Sequence, residues 1–356
     1  MALQQILAVM RLEIRKTFLS KRGAWVYLLA LAPAMIWLLH SITNLQNQDS
    51  WRALAQAHSA PTEALKAVHN GTTEDELEAR LGQPYARNEF GGRGRGGRAL
   101  NLYEARYTDG ESDYRFLVRD GIVVRVREQD RCNISKDSAI FATVFQFFFL
   151  RLAVFFGCVG IFANLFRGEM IDKSLHFYLL TPIRREYLMA GKFLAGLVAT
   201  ATIFTTGTLL QFAALAWHYE AGAVNTFLAG TGWNQLLGYL GVTMLSCLGY
   251  GSVFLAAGMF VKNPIFPAAS ILMWESANPF LPAALKKVSV IFYLQSLCPV
   301  VALPPSDIPP LLKVLLSSAE PTPVVWAMSG LLVVTLAVLL IAGRKAQRLE
   351  INYSTE

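Results

Sequence analysis

The sequence predicts an all-α polytopic membrane protein of six transmembrane helices, with a small α+β domain inserted outside the cytoplasm between the first and second spans. Three observations predict it. Apolar runs of span length recur along the chain, a long polar stretch at 45–137 separates the first from the second, and basic residues gather in alternate loops. The balance of 54% hydrophobic to 16% charged residues places the chain in the membrane class.

Crossing the hydrocarbon core takes about 20 apolar residues in a helix. Residues 24–43, 138–166, 190–217, 234–261 and 324–343 meet that length. The segment 264–283 is a weaker candidate, fifth in chain order, interrupted by Pro267, Glu275 and Pro279. Orientation follows from charge. Arg11, Arg15, Lys16, Lys21 and Arg22 precede the first span, and Arg167, Lys173, Arg184, Arg185 and Lys192 lie between the second and third. Lys262 follows the fourth span, Arg344, Lys345 and Arg348 follow the last, and the loop 218–233 has no Lys or Arg. Basic loops mark the cytoplasmic side. A bacterial inner-membrane protein with both termini in the cytoplasm fits this pattern. Basic residues after the first and fifth spans do not disturb it, because long folded segments escape the rule. The net charge of +7 is thereby assigned to a lipid partner, and no nucleic-acid partner is expected.

The N-terminal residues 2–20 carry apolar positions Leu3, Ile6, Leu7, Met10, Ile14 and Phe18 at near-helical spacing, with Arg11, Arg15 and Lys16 on the other face. This suggests a helix along the inner membrane surface; a cytoplasmic extension of the first span is the plainer alternative. The 45–137 segment reads as its own domain. Trp51 to His69 is helical with a break at Pro61, and Thr73-Glu74-Asp75-Glu76 forms a capping box with Thr73 as N-cap. A short helix through Leu81 ends at Gly82 and Pro84. Strand-like runs follow at Leu100–Thr108, Tyr114–Val118 and Ile122–Arg127, separated by the turn signals Asp109-Gly110 and Asp120-Gly121. Two helices on a three-stranded meander is the expected fold. The stretches "GTTEDELEARLGQP" and "YRFLVRDGIVVRV" resemble the small SmpA/OmlA (BamE-like) fold. That resemblance implies a protein-assembly module and hints at a periplasmic protein partner. "GGRGRGGR" (Gly91–Arg98) has the look of an RNA-binding segment. On the outer side it reads instead as a solvated loop between strands.

Cys132, Cys158, Cys247 and Cys298 show no metal-ligand spacing. Cys158 and Cys247 fall within spans as apolar fillers. Whether Cys132 and Cys298 pair stays open, since spacing alone cannot supply the geometry. The five histidines form no paired ligand spacing either, and no metal site is expected.

Between the second and third spans lies "EMIDKSLHFYLLTPIRREYLMAGK", Glu169 to Lys192. Leu175, Tyr178, Leu179 and Leu180 form an apolar patch on a short helix, Glu169, Asp172 and Lys173 keep the rest soluble, and Pro182 ends it. Arg184 and Arg185 anchor the chain at the inner surface. Such a helix has the shape to enter a groove on a soluble partner. The ordered residues Glu169, Asp172-Lys173-Ser174-Leu175, Leu179-Leu180, Pro182, Arg184-Arg185 and Gly191-Lys192 resemble the coupling-helix region of type-2 ABC exporter permeases. Ser174 stands where Thr is commoner. The resemblance implies a permease that dimerises, with itself or a paired permease, and couples through these residues to a separate cytosolic ABC ATPase. No G-x-x-x-x-G-K-[ST] stretch is present, so ATP and Mg²⁺ are expected in the partner subunit, with no cofactor and no catalytic residue in this chain.

Two charges fall inside spans. Arg151 sits mid-way along the second, and Glu275 about eleven residues into the fifth, roughly 16 Å at helical rise. Opposite chain directions would bring both to mid-membrane depth, and an Arg151–Glu275 ion pair is expected. It could serve a gate or substrate contact, or hold the fifth segment in place. The proline-rich stretch 276–322 is expected to form re-entrant or surface helices on the outer side. Two other functional readings stand beside the exporter. One is an ABC mechanotransmitter that works on a periplasmic protein through the 45–137 domain. The other is an ion-coupled secondary transporter, which needs midplane carboxylates and internal repeats. The sequence does not name the substrate.

Overall fold

The computed structural model describes residues 2–19, 23–93, 99–110, 112–130, 133–171, 180, 183–261, 263–300 and 322–347. The chain divides into two compact units. The first comprises Met1–Leu39, Lys136–Trp217 and Ala221–Glu356; the second comprises His40–Ser135 with His218–Glu220.

In chain order the helical elements are α1 (Ala2–Leu19), α2 (Ala24–His58), α3 (Thr62–Lys66), α4 (Glu74–Leu81), α5 (Ile134–Val144), α6 (Phe155–Phe162), α7 (Asn164–Ile171), α8 (Arg185–Ala216), α9 (Ala221–Phe227), α10 (Trp233–Phe260), α11 (Ile265–Ala277), α12 (Ala283–Lys286), α13 (Val290–Leu297) and α14 (Val324–Gln347). A π-helical stretch, Phe145–Val154, joins α5 to α6, and a shorter one, Leu228–Gly232, joins α9 to α10.

Among the described residues, five helices are long and apolar enough to cross a membrane: Ala24–Asn47, Ile134–Phe166, Arg185–Ala216, Ala221–Phe260 and Val324–Gln347. These coincide with five of the six expected spans. The exposed apolar surface fits lipid rather than water: Val325 is 77% exposed, Trp326 71% and Val333 66%. The 264–283 segment folds differently. It gives the 13-residue α11 and then a 3₁₀ turn at Asn278–Phe280, shorter than the roughly 20 residues a straight crossing needs.

Side-chain contacts fix the directions. Trp37 meets Phe141 at 5.7 Å between centroids, and Gly157 lies against Val26, so α2 runs antiparallel to the second span. Phe141 meets Phe212 and Phe149 meets Phe204, so α8 turns back again. Phe141 meets Tyr239 at 5.0 Å, and Phe155 meets Phe254 at 4.9 Å, so α10 runs parallel to the second span. These rings form the centre of the bundle. Farther along the same pair of helices, Gly258 abuts Ala163, whose carbonyl oxygen would lie 2.7 Å from an added Cβ. Finally, Gly249 packs near Leu331, and Lys345 Nζ sits 5.6 Å from the Phe260 ring. α14 is therefore parallel to α10.

The second unit is an antiparallel sheet in the order β1-β2-β3-β4, with β1 Ala86–Arg93, β2 Ala99–Thr108, β3 Ser112–Arg119 and β4 Ile122–Asp130. Its core holds Leu65, Val68 and Leu77 from α3, α4 and the turn between them, against Tyr103, Tyr107, Tyr114, Phe116, Val118 and Val123. The capping box forms as expected, Thr73 Oγ1 accepting from the Glu76 amide. Asp120 (φ 50°) and Gly121 (φ 78°) make a two-residue hairpin turn with both dihedrals positive.

The sheet has four strands where three were expected. β1 was missed because "ARNEFGGR" lacks alternation and β-branched residues. Its pairing with β2, Ala86↔Arg106 through Arg93↔Ala99, comes from the neighbouring strand rather than from its own propensity. Gly91, Gly92 and Arg93 thus belong to an edge strand instead of a loop, and residues 94–98 lie outside the described residues. The first span and the next expected helix also merge, since α2 continues from Ala24 to His58 without interruption.

Candidate functional site

The first unit carries its chemistry-bearing residues at two places: the end where α1 meets α8, and the middle of the second span.

At the first place, α1 is docked on α8. Gly191 makes the close approach possible, since a Cβ there would lie 2.8 Å from Val9 Cβ and 2.9 Å from the Ile6 carbonyl oxygen. One residue on, Lys192 is fully buried and donates to Glu13 Oε1 at 2.9 Å and to the Leu165 carbonyl at 3.0 Å. Its ammonium also lies 5.4 Å from the Phe166 ring. Glu13 is 4% exposed and receives Lys16 Nζ at 3.9 Å. A buried charge without a partner costs several kcal/mol, so Lys192 demands Glu13 and α1 is held to the base of the bundle. Gly191 and Lys192, in the second turn of α8, are thus the seat of α1.

The opposite face of α1 is open. Arg11, Leu12, Arg15 and Lys16 are exposed and, with Ala8, form one open face of the helix. Arg184 is the N-cap of α8, in extended conformation with φ −64° and ψ 135°. Arg185 opens that helix and donates to the Gln347 carbonyl at 2.9 Å, and Gln347 in turn donates to Glu186. The end of α14 and the start of α8 therefore lie together with α1, and the basic residues of three elements share one end of the bundle.

The expected coupling residues divide as follows. Glu169 lies in α7, Leu180 is 80% exposed, and Arg184 and Arg185 begin α8. Asp172, Lys173, Leu175, Leu179 and Pro182 lie outside the described residues, as does Cys132 of the suggested disulfide. Cys298 carries a free thiol.

At the second place, Arg151 sits in the π-helical stretch with its guanidinium 5.1 Å from the Phe147 ring. Glu275 is 6% exposed. Its Oε2 accepts from Ser289 Oγ at 2.6 Å and the Ile291 amide at 2.9 Å, and its Oε1 accepts from the Val290 amide at 3.0 Å. Those amides open α13, so Glu275 caps the positive end of that helix. Arg151, Tyr250 and Glu275 do share one electrostatic neighbourhood, as opposed chain directions suggested. The hydrogen-bonded ion pair is absent: Arg151 Nε and Nη2 have no hydrogen-bond partner among the described residues. Three of the roughly four acceptor sites of the carboxylate are taken up by Ser289 and the start of α13, so Arg151 meets Glu275 through its field and not through a hydrogen bond.

The second unit holds an arrangement that spacing could not show. His218 Nδ1 lies 3.0 Å from Ser41 Oγ, and the Asn44 amide nitrogen lies 3.3 Å from His218 Nε2 and 3.0 Å from His40 Nε2. The two rings meet edge-on at 5.6 Å. Ser41 and His218 stand 177 positions apart, so no local signal could have joined them.

A family model described as an ABC-2 family transporter protein matches residues 7–263. The match takes in α1, the first four spans, the second unit and the Glu169–Lys192 stretch. No curated protein matches the chain, and no solved structure does.

Proposed function

The chain belongs to the ABC-2 family of transporter proteins, a multi-pass membrane component of an ABC transporter, and from that premise we propose that it is the permease subunit of an ATP-driven exporter. It dimerises and moves a substrate out of the cytoplasm or inner leaflet, using ATP hydrolysed by a separate cytosolic subunit. The observation that carries this reading is the family match itself, which runs across the Glu169–Lys192 pattern. The pattern holds no phosphate-binding loop, and its described part leaves Leu180 open to a partner.

The topology proposed is six crossings with both termini cytoplasmic, the fifth discontinuous. Support comes from the parallel course of α10 and α14: a chain that leaves α10 at one end must reach the other before α14 begins. α11, α12 and α13 supply broken helix for that passage, and non-helical backbone at membrane depth is tolerated where protein encloses it. The basic residues of α1, Arg184, Arg185 and Lys345 then face the cytoplasm.

In this mechanism ATP closes the ATPase pair and pushes the 167–182 segment. Differential ATP affinity biases the bundle between two arrangements. α1, held to α8 through Lys192 and Glu13, moves with the same end. The 45–137 domain, proposed as extracytoplasmic and BamE-like, is the natural contact for a periplasmic protein. Work delivered to that protein instead of a solute is the second reading, and the separate fold of the second unit favours it as the role of that domain. Site-directed labelling tests the topology: Leu180→Cys should react with a membrane-impermeant thiol reagent only from the cytoplasmic side. Reaction from the outer side alone removes the lever.

A further inference from the structure

We propose that Arg151 is the recognition point for one anionic group, a carboxylate or phosphate, carried on an apolar body, so that the transported species is an anionic amphiphile. This rests on the transport reading above and names the substrate class for it.

The argument begins with depth. Arg151 lies midway along the 33-residue span Ile134–Phe166, where an ionised side chain needs a partner. Its neighbours supply little: the Phe147 ring faces the guanidinium at 5.1 Å, worth only a weak cation–π attraction. The donors without partners are Nε and Nη2, adjacent on one edge of the guanidinium. That edge is one side of the planar fork which matches a carboxylate or phosphate with two parallel hydrogen bonds.

The counter-charge must then be found. Within the spans and α11, the acidic residues are Asp137, Glu186 and Glu275. Asp137 is about 21 Å along the helix from Arg151 at 1.5 Å per residue. Glu186 stands in the first turn of α8 and accepts from Gln347. Glu275 is engaged by three donors at the start of α13. Among the described residues no acceptor meets the Nε–Nη2 edge, and Glu275 contributes its field but no hydrogen bond; a ligand's anionic group would complete that fork. A free hydrated anion would shed its water at mid-membrane with nothing in return but one guanidinium, which is unfavourable. An anion attached to an apolar chain reaches this depth by partitioning.

Both donors are sealed from solvent in this conformation, so binding follows a rearrangement of the span. Arg151 lies in ten residues of π-helix, a geometry frequent at functional sites.

The test uses the full chain, purified in an uncharged detergent, and direct binding by native mass spectrometry. The probes are oleate against oleyl alcohol, oleoyl lysophosphatidate against the corresponding lysophosphatidylcholine, and acetate and inorganic phosphate without a tail. The wild type should bind the anionic amphiphiles about tenfold tighter than their uncharged or zwitterionic counterparts, the size of one charge-assisted bidentate contact. Which anion binds tighter tells carboxylate from phosphate. Arg151→Gln should erase the preference, Arg151→Lys should keep part of it, and the exposed Lys287→Gln should leave it intact. If Arg151→Gln does not fold, the wild-type preference and Arg151→Lys still decide. Equal affinity for charged and uncharged amphiphiles, a preference that survives Arg151→Gln, or tight binding of acetate or phosphate alone overturns the proposal. Binding here needs no ATPase, so its failure is separate from a failure of the transport reading, which shows as an absent ATPase partner.

Discussion

Lys192 Nζ lies 2.9 Å from Glu13 Oε1, with the lysine fully buried and the glutamate nearly so. The contact joins the N-terminal helix to the cytoplasmic end proposed for the third span. It turns an amphipathic segment that composition alone would lay on the lipid surface into part of the bundle.

Removing one partner should therefore cost more than removing both. Lys192→Met takes away the buried partner of Glu13, whose carboxylate keeps Lys16 at 3.9 Å, and should destabilise by about 3 kcal/mol or less. Glu13→Leu combined with Lys192→Met should lose much less, since apolar replacement of a buried pair is often near neutral. Unfolding of the detergent-solubilised chain in increasing denaturant measures both. Equal losses for the single and double variants would show that the pair carries no coupling.

Gly191→Leu should release α1 while leaving the spans intact, because the new side chain must displace Val9 and the Ile6 carbonyl. Limited proteolysis reads this directly: cleavage within residues 2–19 should speed up relative to the wild type, with no change in α8. Unchanged protection of α1 would mean that the close approach at Gly191 is dispensable.

Glu275→Gln keeps shape and removes charge. It weakens charge-assisted bonds from Ser289 and two amides of α13 and should cost about 1–3 kcal/mol. Glu275→Leu, which leaves all three donors without an acceptor, should cost more. A charge swap between Arg151 and Glu275 should rescue little of either single reversal, because the hydrogen bonds of the carboxylate go to Ser289 and α13 and only its field reaches the arginine. Rescue by the double reversal would restore the ion pair expected from sequence.

Much of this was legible in the sequence, because the membrane imposes length and charge rules that need no tertiary context. The five long spans and the basic end follow from those rules, as do the capping box at Thr73 and the Asp120-Gly121 turn. What escaped depended on contacts between distant residues. Strand β1 has no pattern of its own and is templated by β2. Glu275 stands out in the sequence as a charge in an apolar run, yet its hydrogen-bond partners sit 14 to 16 residues downstream, across a break that periodicity cannot see. Lys192 stands in the sequence as the last residue of the Glu169–Lys192 pattern, while its partner Glu13 lies 179 residues earlier. Of the residues proposed for coupling, Glu169, Leu180, Arg184 and Arg185 are described, and Asp172, Lys173, Leu175, Leu179 and Pro182 lie outside the described residues.

The second unit should show delayed tyrosine ionisation. Burial first, and then Glu78 and Glu74, push the Tyr107 phenol up to about 12. Tyr103 and Tyr114 move the same way, by burial and then by hydrogen bonds to Glu74 and Glu128. A phenol whose folded pKa is raised stabilises the fold fully below its ordinary value near 10 and loses that contribution as pH climbs through the raised value. Phenolate absorbance should therefore rise in two classes, the later one near pH 12 together with loss of the sheet's circular dichroism. A single class near the ordinary value, with the fold intact, would contradict the packing described for this core.

The central claim is that the 167–182 segment is a lever moved by an ATPase which this chain does not contain. The most direct measurement is affinity purification from native membranes in mild detergent, with every co-eluting protein quantified by mass spectrometry. The account predicts a separate ATP-binding subunit in equimolar amount, lost when Leu179 and Leu180 are both changed to Asp while the chain still folds. A purified chain that carries out transport with no ATPase bound would contradict it.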